Sequence, residues 1–110
     1  MINFTSRTTY YISATPTDMR KGREGLAQIV REVMKLNPLC YDEAFIFYSK
    51  DYKKVKILHY DLNGYVMYEK WFDDGRFLKP SFEECKSSHR ISRETLILLL
   101  STAVQHKLVI

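Results

Sequence analysis

A chain of 110 residues with 45% apolar content is long enough for one hydrophobic core and too short for two, so a single domain over residues 1–110 is expected. Its formal charge of +4, from 17 basic and 13 acidic residues, leans toward acidic partners such as nucleic acid without establishing one. Cys40 and Cys85 stand alone with no CxxC pair, the opening MINFTSRTTYYIS carries no charged-then-apolar leader, and the longest apolar run, Leu96 to Leu100, is far short of a bilayer span. These features exclude a disulfide scaffold and a membrane span, and point to a soluble cytoplasmic protein with reduced thiols.

In chain order, Thr8 to Ser13 is β-branched and aromatic and reads as a strand, with Tyr10 and Ile12 on one face and Thr9, Tyr11 and Ser13 on the other. The stretch Thr17 to Leu36, TDMRKGREGLAQIVREVMKL, predicts a helix. Thr17 is placed to cap it and Asp18 to sit in its first turn, where the positive end of the helix dipole favours an anion. Leu26, Ile29, Val30, Val33 and Leu36 form an apolar stripe, and Asn37-Pro38 ends the element. Gly22 and Gly25 each cost about 1 kcal/mol inside a helix, which implies close backbone approach. Two readings of that approach stay open: helix-on-sheet packing, or an anion site made of backbone amides near Arg20, Lys21 and Arg23.

Ala44 to Ser49 reads as a strand with Phe45 and Phe47 pointing to one side, and Lys50-Asp51-Tyr52-Lys53 as a polar turn. The strand Val55 to Asp61 follows, with Val55, Ile57 and His59 on one face and Lys54, Lys56, Leu58 and Tyr60 on the other. Asn63-Gly64 before Tyr65 to Phe72 is the strongest hairpin signal, because both residues tolerate the positive φ of a type I′ turn. A turn at Asp73-Asp74-Gly75 leads to a short strand, Arg76 to Lys79, and Ser81 to Arg90 reads as loop. Ser92 caps a last helix, Thr95 to Val104 being apolar nearly all round, and Gln105 to Ile110 is a last strand or a docking segment. The fold class is α+β: an antiparallel meander of about four to five strands packed with one central helix and one C-terminal helix.

Catalytic and metal signatures are missing from the pattern. His59, His89 and His106 are scattered, which predicts no metal and no cofactor, and His59 between Leu58 and Tyr60 reads as a packed or interface histidine. The carboxylates lie mostly in turns and at helix starts, where aspartate serves local hydrogen bonding. No phosphate-cradling loop, nucleophile elbow or dinucleotide fingerprint is present. What remains is basic and aromatic. Lys50, Lys53, Lys54 and Lys56 surround one turn and strand, Arg7, Arg20, Lys21 and Arg23 bracket the first strand and helix start, and Tyr48, Tyr52, Tyr60 and Tyr68 are available for stacking. The alternative is that the lysines solvate an exposed sheet edge.

The order of TDMRKG with a Gly-Leu three residues on, FIF, KKVKILHYDLNGYVMYEKW, DDGRF and a Ser-capped apolar helix resembles the TnpB-type accessory protein of insertion sequence family sixty-six. That protein is the product of the second open reading frame in a group of bacterial transposable elements. The resemblance spans about Thr8 to Val104. It singles out Thr17, Asp18, Met19, Arg20, Lys21, Gly22, Gly25 and Leu26, then Lys56, Leu58, His59, Asp61, Gly64 and Tyr65, then Gly75, Arg76 and Phe77. Tyr60, Arg23, Trp71 and Leu100-Ser101-Thr102 depart from the family pattern. The resemblance implies an accessory, non-enzymatic role beside a separate DDE-type transposase, with the transposase and other proteins of the element as partners. On this reading the protein binds element-end DNA through Arg20, Lys21, Arg23, Lys54, Lys56 and Arg76, which would make it nucleoid-associated. The rival reading is a protein-interaction module that contacts the transposase or a second copy of itself and no DNA; a magnesium-dependent nuclease is the remote third.

Overall fold

The computed structural model of this protein describes residues 5, 7–101 and 107–109. Seven strands and two helices follow in the order β1 (Thr9–Ser13), α1 (Arg23–Glu32), β2 (Glu43–Tyr48), β3 (Lys54–Asp61), β4 (Gly64–Trp71), β5 (Lys79–Ser81), β6 (Ser88–Ile91), α2 (Arg93–Ser101) and β7 (Lys107–Val109). Five of the strands form one sheet in the order β4-β3-β2-β1-β6, and β5 and β7 pair separately. The α+β class read from the sequence holds.

Period-two alternation decides the layers. Ala44, Ile46 and Tyr48 of β2 join Tyr10, Ile12, Val55, Ile57, Ile91 and the α2 residues Leu96, Leu99 and Leu100 in one core. Phe45 and Phe47 point the opposite way and pack with Leu58 against Leu26, Ala27 and Val30 of α1. The central strands are thus apolar on both faces, with a helix over each, as a three-layer arrangement requires. Ser92 caps α2 as the sequence indicated, its Oγ accepting from Thr95 N–H at 3.1 Å. The continuation of this helix to Val104 lies outside the described residues.

Four local expectations are corrected. The sheet is mixed: β2, β3 and β4 form the antiparallel meander, but β1 runs parallel to β2, reached through the crossover that carries α1. Residues 81–90 contain part of β6, which pairs antiparallel to β1; its polar SHRI sequence hides an alternation in which only His89 and Ile91 face inward. No strand covers Arg76 to Leu78. Extended structure resumes at Lys79 as β5, which pairs parallel with β7, so the tail does contain the strand that was one of its two readings.

The hairpin turn lies one residue earlier than Asn63-Gly64. Asp61 pairs with Gly64, so Leu62 (φ 47°) and Asn63 (φ 66°) are the central turn residues and Gly64 opens β4. Asn63 tolerates this backbone; Leu62, 92% exposed, gains nothing from packing there. Leu62→Asn is therefore expected to stabilise the fold by about 1 kcal/mol, seen as a melting temperature raised by a few degrees. No rise would mean the turn is not left-handed at residue 62.

His89 is buried, stacked on Phe82 with ring centroids 4.2 Å apart, and its Nε2 has no hydrogen-bond partner. Burial, aided by the charge of Lys86 and opposed by Glu84, pushes its pKa below the ordinary value. The unfolded chain then binds the proton more readily, so stability is full above the unfolded value of about 6.5 and declines as pH falls below it. Urea midpoints measured from pH 7.5 downward should show this decline, and His89→Asn should flatten it.

Candidate functional site

The sheet's register divides the residues singled out by sequence between its two ends. β1, β2 and β4 finish, and β3 and β6 begin, at the same end, where the loop Thr17–Gly22 also lies. Lys54, Trp71 and Arg76 belong to this end. His59, Asp61, Gly64 and Tyr65 belong to the other, five to seven strand steps away or roughly 17–24 Å. Arg7, just ahead of β1, also lies at the far end.

Thr17–Gly22 is a loop and not the first turns of α1. The helix starts at Arg23 with Gly22 at the N-cap and no side-chain cap. Tertiary bonds explain the delay. Thr17 N–H donates to the Tyr48 carbonyl at 2.9 Å, at the end of β2. Lys56, read from the sequence as a surface cation, is only 7% exposed, and its ammonium donates to the carbonyls of Met19 (2.8 Å) and Lys21 (3.0 Å). Those carbonyls would otherwise accept from Arg23 and Gly25 in a longer helix. Val33, predicted on the apolar stripe, is 54% exposed, because α1 ends at Glu32 and Lys35 turns into the left-handed region (φ 59°).

Asp18 organises the loop tip. Its carboxylate accepts from Arg20 N–H at 2.9 Å and from the Arg20 guanidinium at 2.8 Å, and these bonds hold its pKa well below the usual carboxylate range. The carboxylate fills the place on the Arg20 amide that a phosphate would take. Gly22 has open space around its Cβ position, and a Cβ on Gly25 would lie 3.2 Å from Lys21 Cβ. The close approach inferred from these glycines is thus confined to Gly25, and it is the Lys21 side chain, not a strand, that comes near.

Across from the loop, Lys54 bridges Glu69 at 2.8 Å and sits 4.3 Å over the Trp71 ring, and Trp71 Nε1 donates to the same Glu69 carboxylate at 3.0 Å. Trp71 stays 69% exposed. A shallow continuous groove runs from Thr17, Asp18 and Met19, past the turn residues Ser49 and Asp51, to Trp71 and Phe72, and on along Lys53 and Asp73 to Arg76. Gly75 has φ 78°, which only glycine adopts freely, and it turns the chain so that Phe77 enters the core and stacks on Tyr48 while Arg76 stays outside.

The structure therefore brings Arg20, Lys21, Arg23, Lys54 and Arg76 to one end, with Lys56 beneath them. Charge in the groove is mixed: Asp18, Asp51 and Asp73 line it beside Lys50, Lys53 and Lys54. The tyrosines read as stacking candidates are engaged elsewhere. Tyr48 is buried, and its hydroxyl, its pKa driven up by burial, donates to the Ser13 carbonyl. Tyr52 stacks on Tyr48, Tyr68 packs on the α2-side core and Tyr60 meets Tyr65 edge-on at the far end. Trp71, Met19 and Phe72 supply the apolar surface instead. Sequence reading missed the groove because its walls come from three separate segments; the one available signal was a lone tryptophan directly before a polar turn.

Among the described residues, no cluster of three or more His, Cys, Asp or Glu could hold a metal ion, and no helix is long and apolar enough to cross a membrane. His106 lies outside the described residues. The described residues thus present an open groove of mixed charge around an exposed aromatic. The particular family follows from comparison: the model of the IS66 Orf2 like protein matches residues 8–108, and this chain belongs to that family, an accessory family of bacterial insertion sequences. Two proteins of Sinorhizobium fredii (strain NBRC 101917 / NGR234) are similar, the uncharacterized y4hO at 40% identity and the uncharacterized y4jC at 27%, each over 73 residues. The match covers 66% of this chain but only 63% and 62% of theirs, so the chain spans less than two thirds of either relative. No solved structure matches it.

Lys56→Met keeps the stem and removes the ammonium, leaving two inward-facing carbonyls without their donor. A loss of about 1–3 kcal/mol is expected in denaturant unfolding, with faster hydrogen exchange at the amides of Met19 to Gly22 than elsewhere. Uniform exchange across the domain would mean that Lys56 does not hold the loop.

Proposed function

We propose that this protein is a non-enzymatic docking module of an insertion-sequence element, using the groove between Thr17–Gly22 and Trp71 to bind another protein of the element, first of all its separate transposase. The observation that carries this reading is Trp71. It is a large aromatic exposed at the groove, held in place by Glu69 and Lys54, and rimmed by side chains of both signs. Aromatic anchors ringed by polar groups are the usual energetic centre of protein interfaces. Duplex DNA would meet Asp18, Asp51 and Asp73 in the same groove, each repelling phosphate.

A second reading, contact with element DNA, draws on Lys21, Arg23, Lys50, Lys53 and Arg76. All five are exposed, and among the described residues none forms an ion pair within 4.0 Å. Of the six cations expected at DNA from the sequence, Arg20 and Lys54 are paired with carboxylates and Lys56 is buried. That leaves Lys21, Arg23 and Arg76 of the original set for this role.

The two readings separate in one pull-down with the transposase of the element. Retention should survive nuclease treatment, and Trp71→Ala should weaken it by about 2 kcal/mol, roughly thirty-fold, while Lys21→Glu/Arg23→Glu leaves it nearly intact. Retention lost on nuclease treatment and on charge reversal, together with steeply salt-dependent binding to element-end duplex, would favour the DNA reading.

A further inference from the structure

β4 carries a second surface, which shares Glu69 and Trp71 with the groove. β4 is the outermost strand of the main sheet and its longest edge, eight residues from Gly64 to Trp71. The opposite edge, β6, has only four. In the β3–β4 hairpin the closing pair is Asp61 and Gly64, and hydrogen-bonded pairs then recur at every second position out to Lys53 and Phe72, whose N–H donates to the Lys53 carbonyl at 2.8 Å. The intervening residues, Tyr65, Met67, Glu69 and Trp71, turn their backbone N–H and C=O groups to the free edge. No other backbone group among the described residues bonds to them outside the strand ladders.

Edge strands are ordinarily blunted by charged side chains, prolines or bulges. β4 has no proline, and its register with β3 is unbroken. Its two charges are both drawn back onto their own chain. Glu69 is held by Lys54 and by Trp71 Nε1, and Lys70 donates to the Leu100 carbonyl at 2.7 Å and lies 4.8 Å over the Phe72 ring. Among the described residues the edge is therefore long, regular and unguarded.

We propose that this edge is a self-association surface, on which a second copy of the chain adds its own β4 antiparallel, extending the sheet across a two-fold axis at Tyr68. Self-pairing requires the outward groups of one strand to face those of the other, so residues of the same parity must stand opposite. Among such registers, centring on Glu69 or Lys70 sets that charge directly against its own copy, which is unfavourable. Centring on Tyr68 avoids both clashes and uses all four outward residues: Tyr65 opposes the partner's Trp71, and Met67 opposes the partner's Glu69. On the other face, Val66 opposes the partner's Lys70 and Tyr68 opposes the partner's Tyr68. The absence of like charges opposite one another, with every outward backbone group answered, is why the occupant is a second copy and not an unrelated extended segment.

Sedimentation of the full chain across a concentration series tests this. The native chain should reach twice its monomer mass, and Met67→Pro, which removes an outward N–H without touching the β3 ladder, should remain folded and monomeric. A native chain that stays monomeric throughout, or a dimer that a folded Met67→Pro leaves intact, overturns the proposal. Should Met67→Pro fail to fold, the register decides. In a Cys40→Ser/Cys85→Ser background, Tyr68→Cys should form a disulfide-linked dimer on mild oxidation, since cross-strand non-hydrogen-bonded pairs lie within disulfide reach. Val66→Cys alone should not, but should crosslink when mixed with Lys70→Cys. Equal crosslinking at all three positions, or none at Tyr68→Cys, refutes the register and with it the proposal.

Discussion

A single buried ammonium organises the end of the sheet on which the candidate site stands. Lys56 lies on a central strand, where an unpartnered charge would be prohibitively unfavourable, and the carboxylate opposite it, Glu69 on β4, is bonded to Lys54 and Trp71. Two backbone carbonyls of the Thr17–Gly22 loop satisfy it instead. The bond works in both directions: the loop makes the lysine tolerable inside the protein, and the lysine keeps the loop from winding into α1. The helix consequently begins late, and Asp18, Met19 and Arg20 project as a ridge beside the sheet.

That ridge gives the groove one wall, and the hairpin end gives it the other. Trp71 can remain exposed without drifting because its ring is covered on one side by the Lys54 ammonium and its indole N–H is held by Glu69. The same three residues draw charge away from the β4 edge. Groove and edge are thus served by one set of contacts, and a partner at either surface would meet a side chain already fixed, which lowers the entropic cost of binding. Family membership places this chain among the accessory proteins of insertion sequences.

Much of this was legible in the chain itself. Alternating apolar residues in β1, β2 and β3 assigned faces correctly: Tyr10 and Ile12 together, Phe45 and Phe47 together, Val55 and Ile57 opposite Leu58. The hairpin, the Ser92 cap and the α+β class follow from turn chemistry and local hydrogen bonding, and the ordered motifs carried the family. All of these depend on neighbours within a few residues, which is why a sequence can specify them.

What the sequence did not disclose depends on which distant segments meet. Thr17 and Asp18 look like a helix start by every local rule, and only the arrival of Lys56 takes the Met19 and Lys21 carbonyls that a longer helix would need. Lys56 itself reads as a surface charge, since nothing within its own strand reveals the carbonyls waiting on the far side of the α1-facing layer. β6 was hidden because two inward residues in four give too short an alternation to register, and its strand character comes from pairing with β1. Local periodicity determined the elements and their faces; the fate of each cation, the groove and the open edge were decided by long-range hydrogen bonds that exist only once the sheet is assembled.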